Sequence, residues 1–200
     1  MVRSDREYRM ITAPDIQFRA KEDEDFKVEG YATTFNDPYV MMEYDGVKYM
    51  EEIDKDALND ADMSDVIFLY NHEGMVFARQ SNGSLALSIE EKGLHVIADL
   101  SLTEESRRMY ESIKAGLVTQ MSWAFRVEED AYNEKTRTRT IRKVAKVYDV
   151  SAVSIPANPN TDISARSYFD GVIEEERRRD LERQEVVNRI KNKLKEGGHE

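Results

Sequence analysis

The chain has no cysteine, which excludes disulfide frameworks, thiolate metal ligands, iron–sulfur clusters and thiol nucleophiles. Histidine is scarce. His72, His95 and His199 are the only three, too few for a His-rich metal site. Long apolar runs are also missing: no stretch approaches the ~18 residues of a membrane-spanning helix. Met1 to Arg9, carrying Arg3, Asp5, Arg6 and Glu7, lacks the apolar core of an export signal. The expectation is a soluble chain with no membrane partner. Positive charge is in deficit as well, at 29 Lys and Arg against 40 Asp and Glu, for a net charge of −11. That balance opposes binding to phosphate backbones, which rests on Lys and Arg clusters, so nucleic acid is not expected as a partner. What remains for chemistry is hydroxyl nucleophiles, carboxylates and one or two imidazoles.

What the sequence does contain is a body of short β-like segments within 200 residues, about the size of one domain with flanks. Composition divides it into an N-terminal arm (1–24), a β-rich body (25–169) and a charged helical tail (170–200). Phe26 to Phe35 reads as a strand. Tyr39 to Tyr44 and Val47 to Ile53 flank Asp45-Gly46, the dipeptide that supplies the positive φ angles of a two-residue hairpin turn. A short helix is expected from a cap at Asp54 or Asp56 through Leu58. Val66 to Tyr70 is an apolar run of strand length. Ser84 to Ile89 and Leu94 to Leu102 form a second hairpin around Gly93. Thr103 caps a helix, with Glu104 and Glu105 favoured by the helix dipole in the first turn and Gly116 as its stop. Gln120 to Glu128, Thr136 to Arg142 and Val144 to Ile155 read as three more strands before Pro156 and Pro159 break the pattern. The count of seven to nine strands and two short helices predicts a mainly β fold with flanking helices, as a closed β-barrel of about seven strands or a closely wrapped sheet. In the tail, Val186, Val187, Ile190 and Leu194 sit at helical spacing, whereas Glu174 to Arg179 is charge without an apolar face.

Three residues stand out chemically. His72 follows the apolar run Val66-Ile67-Phe68-Leu69-Tyr70, where a strand gives way to a turn and a sheet can present a reactive group to a cleft. Ser122 lies in a cleanly alternating strand: Met121, Trp123, Phe125 and Val127 make one large apolar face, and Ser122, Ala124 and Arg126 the other. A small hydroxyl beside Ala124 leaves a substrate room to approach. Asp149 shares a strand face with Val147, Ser151 and Val153, and a carboxylate there needs a donor such as an imidazole N–H. Taken singly, each has an ordinary reading, as a strand-capping histidine, a surface serine and an edge-strand aspartate. His95 lies mid-strand and reads as outward-facing.

The ordered set of short motifs resembles the prohead maturation proteases of HK97-like tailed bacteriophages. It runs from Gly30-Tyr31-Ala32 and Phe35-Asn36 through Leu69-Tyr70-Asn71-His72-Glu73, Ala78-Arg79, Gly83-Ser84-Leu85 and Gly93-Leu94. Gly116-Leu117, Gln120-Met121-Ser122-Trp123-Ala124-Phe125, Asp149-Val150-Ser151 and Ile155-Pro156-Ala157-Asn158-Pro159 complete it. The family more often reads Gly-Met-Ser-Phe-Gly-Phe around the serine and Glu at the acid position; neither difference removes a reactive group. The resemblance implies the β-barrel of the herpesvirus capsid assembly proteases. It also implies a catalytic order His72, Ser122, Asp149, the acid standing where the herpesvirus enzymes have a second histidine.

The resulting expectation is a serine endopeptidase of phage head maturation, with Ser122 as nucleophile, His72 as general base and Asp149 orienting the imidazole. Arg79 and Arg126 are weaker candidates for placing substrate or the oxyanion, and no metal or organic cofactor is required. The resemblance implies cleavage of a scaffold protein, of the scaffolding part of the major capsid protein, and of the enzyme itself. It further implies a homodimer working in the host bacterial cytoplasm inside the assembling prohead. A non-catalytic assembly or scaffold protein that keeps the barrel as a binding module is the alternative. A carboxylate metal hydrolase using His72, Glu73 and an aspartate is a third reading, which needs more ligands than local spacing supplies.

Overall fold

The computed structural model describes residues 6–11, 19–21, 25–154 and 163–196. Short strands β1 (Glu7–Ile11) and β2 (Arg19–Ala20) precede β3 (Lys27–Thr34), the hairpin β4 (Tyr39–Tyr44) and β5 (Val47–Ile53), and the hairpin β6 (Ile67–Tyr70) and β7 (Glu73–Arg79). Then come β8 (Leu85–Ile89), β9 (Gly93–Asp99), α1 (Glu104–Lys114), β10 (Gln120–Asn133), β11 (Thr138–Val153) and α2 (Ile163–Glu196). Local chemistry explains several boundaries. Asp45 and Gly46 take φ angles of 51° and 74° in the β4–β5 turn, as a two-residue hairpin demands. Thr103 caps α1 by accepting a hydrogen bond from the Ser106 N–H, and Gly116 leaves it at φ 72°. Gly93 is required sterically: a Cβ there would lie 1.9 Å from the Thr33 carbonyl oxygen.

The strands form a seven-stranded mixed sheet, ordered β1-β10-β11-β5-β4 with β6 attached to β11 and β7 to β6, and a four-stranded antiparallel sheet, β2-β3-β9-β8. Both contribute to one core, in which Val28, Val96 and Ala98 of the small sheet join Phe68, Trp123, Phe125 and Val150 of the large one.

The expected closed barrel is corrected, since neither sheet closes on itself. The reason lies in β11, which pairs with β10 along one side while its other side is split. Thr138–Ile141 runs parallel to β5, and Asp149–Ala152 runs parallel to β6. The sheet therefore forks, and β1, β4 and β7 each pair with a single strand, leaving edges that a closed barrel would abolish.

Three smaller expectations also change. The segment after Asp54 forms successive turns rather than a helix: Ala57 N–H donates to Asp54 O and Asn59 N–H to Asp56 O. The Asp54 carboxylate takes the Asp56 N–H, so side-chain capping competes with helix propagation. The last three expected strands are two long ones, β10 and β11, joined at Glu134–Arg137 and interrupted by bulges rather than breaks. Strand β7 was not expected. The segment holding Pro156 and Pro159, and His199, lie outside the described residues.

Among the described residues, helix α2 is anchored through its first half, as far as Arg179, which pairs with Glu134. Phe169 and Ile173 are buried against Met41, Met42 and Tyr49 in a second, smaller core, and Tyr49 donates to Glu176. Leu181, Val186, Val187 and Ile190 farther along are exposed.

Candidate active site

The β6–β7 turn positions His72. Asn71 and His72 both take positive φ, at 51° and 60°, a conformation that costs energy in non-glycine residues and persists where surrounding structure enforces it. Flanking contacts do so. Asn71 N–H donates to Ala152 O, and the Asn71 side chain exchanges hydrogen bonds with Ser154. The turn thus hangs over the end of β11, the strand that carries Asp149.

Ser122 sits on β10, antiparallel to β11, with Ser122 opposite Ser151 and Ala124 opposite Asp149. Its neighbours Met121, Trp123 and Phe125 are buried in the main core. Trp123 and Phe125 stack at 3.9 Å between ring centroids, drawn together by the irregular register there. Rigid packing on one face fixes the opposite face toward His72.

The three residues meet. His72 Nε2 lies 2.6 Å from Ser122 Oγ, and His72 Nδ1 lies 2.6 Å from Asp149 Oδ1. Ser122 and Asp149 are only 2% and 1% exposed. An ionised Asp149 accepts from Nδ1–H, which leaves Nε2 as acceptor for the serine hydroxyl. The arrangement has the connectivity of a nucleophile, a base and an orienting acid.

Two further features escaped the sequence reading. Ser151, fully buried, donates to Asp149 Oδ1 at 2.9 Å and lies 3.2 Å from His72 Nδ1. The signal for it was present, since Ser151 shares the strand face of Asp149. The second feature is β1, which composition assigns to a charged arm and which pairs with β10 alongside Ser122. From it, the Tyr8 ring meets the His72 ring edge-on at 4.7 Å. Arg6 Nη1 lies 3.8 Å from Asp149 Oδ2, an oxygen that is buried with no hydrogen-bond partner.

Behind the site, away from His72, lies a buried ionic cluster. Arg9 pairs with Glu7 and Glu51; Arg139 pairs with Glu7, Glu51 and Asp130; and Tyr39 donates to Glu51 at 2.6 Å. Burial pushes the Glu7 carboxyl up, but the Arg9 and Arg139 guanidiniums outweigh it and bring its pKa down to about 2.

Arg79 is engaged elsewhere, pairing with Asp65 at 3.0 Å. Arg126 is half-buried opposite Lys146 on β11. His95 is likewise remote from the triad in sheet terms: it lies on β9 of the small sheet, 3.1 Å from Glu90 and 5.0 Å from the Tyr31 ring. Among the described residues no group of three or more His, Asp or Glu is arranged to hold a metal ion, and no helix is long and apolar enough to cross a membrane.

A family model described as "Caudovirus prohead serine protease" matches residues 14–172. No curated protein and no solved structure matches the chain.

Proposed function

The chain belongs to the caudovirus prohead serine protease family, and from that premise we propose that Ser122, His72 and Asp149 are its catalytic triad. The observation that carries this reading is the continuous chain of contacts, Ser122 Oγ to His72 Nε2 and His72 Nδ1 to Asp149 Oδ1, at 2.6 Å each. Ser122 Oγ attacks the scissile carbonyl carbon as its proton passes to His72 Nε2. Asp149 stabilises the resulting imidazolium through Nδ1–H. The tetrahedral intermediate collapses as His72 returns the proton to the leaving amine; water, deprotonated by His72, then releases the acyl group from Ser122. Ser151 holds Asp149 Oδ1 in line with the ring and is a positioning residue.

As a prohead protease the molecule acts on capsid proteins within the assembling shell. We further propose that its substrates are a separate scaffold or the scaffolding part of the major capsid protein, together with its own flanks, in the host bacterial cytoplasm, and that it works as a homodimer. The deciding experiment co-expresses the chain with the candidate capsid or scaffold protein, as wild type and as Ser122→Ala, and reads products by mass. Truncated product with wild type alone is expected. Equal processing by both would remove Ser122 from the chemistry. No processing by either would favour a non-catalytic assembly role.

A further inference from the structure

The nucleophile is closed off in this structure by the chain's own N-terminal strand. β1 lies antiparallel along β10, with Tyr8 opposite Ala124 and Met10 opposite Ser122. It covers the site on three counts. Ser122 Oγ lies 2.8 Å from the Arg9 carbonyl oxygen, Tyr8 packs on His72, and Arg6 sits over the Tyr148 ring at 4.1 Å and near Asp149. At 2% exposure, Ser122 cannot meet a substrate carbonyl while β1 remains.

We propose that the edge of β10 from Met121 to Phe125 is the binding site of an extended peptide substrate, and that β1 occupies it as a built-in stand-in which substrate must displace. The proposal rests on the catalytic reading above. A sheet edge offers the alternating N–H and C=O groups that an extended peptide pairs with. A peptide in the register of β1 brings a carbonyl group to Ser122, as Arg9 now does. Its side chains alternate between two environments: one row meets His72 and Tyr148, where Tyr8 and Arg6 now lie, and the other meets Glu51 and Arg139. The site therefore suits a large apolar residue flanked, on the other face, by an acid and a base two residues apart.

The closed state is also chemically quiet. Ser122 has one proton, and the Arg9 carbonyl competes with His72 Nε2 for it. Arg6 partly neutralises the carboxylate that would otherwise be devoted to the imidazolium.

β1 is built to leave. Its inward side chains, Glu7 and Arg9, are one acid and one base, so withdrawal does not change the net charge left in the cluster. Arg139 keeps Glu51 at 2.9 Å and Asp130 at 2.6 Å, and Glu51 keeps Tyr39. Among the described strands β1 pairs with β10 alone, so no second ladder holds it in place.

The test exploits the absence of native cysteine. Tyr8→Cys/Ala124→Cys places two thiols at paired positions on the face of β1 and β10 that carries Ser122, and the full chain is compared oxidised and reduced by its rate of Ser122 labelling with a fluorophosphonate. Labelling slower by about tenfold or more on oxidation, restored by reductant, is expected, because reactivity scales with the fraction of open molecules. Equal rates in the two states would overturn the proposal. Glu7→Gln, which weakens the anchor without a new cysteine, should label faster than wild type; an unchanged or slower rate would count against displacement. Absence of labelling in every form, wild type included, would instead strike at the peptidase reading. Amide hydrogen exchange of Met121 to Phe125 would then decide: faster exchange in the reduced than in the oxidised variant supports a removable β1, and equal exchange refutes it.

Discussion

The hydroxyl of Ser151 donates to the same oxygen of Asp149 that His72 Nδ1 reaches, at 2.9 Å and 2.6 Å respectively. Two donors on Oδ1 fix the carboxylate plane, and the second carries no charge of its own. Ser151→Ala is expected to leave the Asp149 carboxylate held by the imidazole alone on Oδ1 and freer to rotate. A hydrogen bond to a charged group contributes about 1.5–3 kcal/mol, so kcat should fall by about 10- to 100-fold with little change in KM. Steady-state kinetics on a capsid-derived peptide checks this; a rise in KM alone would place Ser151 in binding rather than positioning.

Asp149→Asn should preserve the fold and the contact distance while offering an N–H or a neutral carbonyl where the ring needs an anion. Turnover is expected to fall by about 10⁴-fold if the serine-protease precedent holds, with Asp149→Glu retaining part of the activity. Circular dichroism establishes the fold and single-turnover cleavage the rate. A kinetically silent Asp149→Asn would move the orienting role to another group.

The parts of this arrangement that were legible in the sequence are those set by local chemistry. The Asp45-Gly46 turn and the Thr103 cap are written in adjacent residues. The alternation of Gln120 to Val127 singled out Ser122 because one face is crowded and the other small. Barrel closure was not legible, since it depends on which edges meet, and the two parallel pairings of β11, such as Thr138 with Met50 and Asp149 with Ile67, join segments more than 80 residues apart in sequence. β7 was missed because Met75 and Val76 are exposed on it, which erases the alternation that marks a half-buried strand. β1 was hidden by its own charges: Glu7 and Arg9 read as solvated arm, yet they are buried against Glu51 and Arg139, partners that no local pattern connects to them.

Acid should release β1. Glu7 has its folded-state pKa depressed from the ordinary 4.5 to about 2, so its contribution is fully present above pH 4.5 and is lost as pH falls toward 2. Trp123 is the only tryptophan and lies opposite Arg9 across the β1–β10 pair. Its emission should shift to the red between pH 4.5 and 2 in the wild type. In Glu7→Gln, which has no proton to gain at that position, the shift in this window should be smaller. Identical titrations would show that Glu7 does not hold the strand.

Helix α2 divides near Asp180 into a part that packs and a part that does not. Ile173, 7% exposed, and Phe169, fully buried, sit in the second core, and Glu176 takes the Tyr49 hydroxyl. Leu181, Val186, Val187 and Ile190 carry apolar surface that no described element covers, each at least 46% exposed. A narrow stripe of this kind gains order chiefly by pairing, and the expected outcome is that the segment beyond Asp180 tethers the chain to the assembling shell. Truncation after Asp180 should leave the melting temperature and cleavage of a small peptide unchanged, yet reduce incorporation into proheads. Truncation after Phe169 also removes Ile173, whose burial contributes about 1.5–3 kcal/mol, and should lower the melting temperature by about 3–12 °C. Differential scanning calorimetry and prohead pull-down read the two effects separately. Unchanged incorporation of the Asp180 truncation would refute the tether, whereas loss of its peptide cleavage would show that the distal helix serves the catalytic body or its dimer.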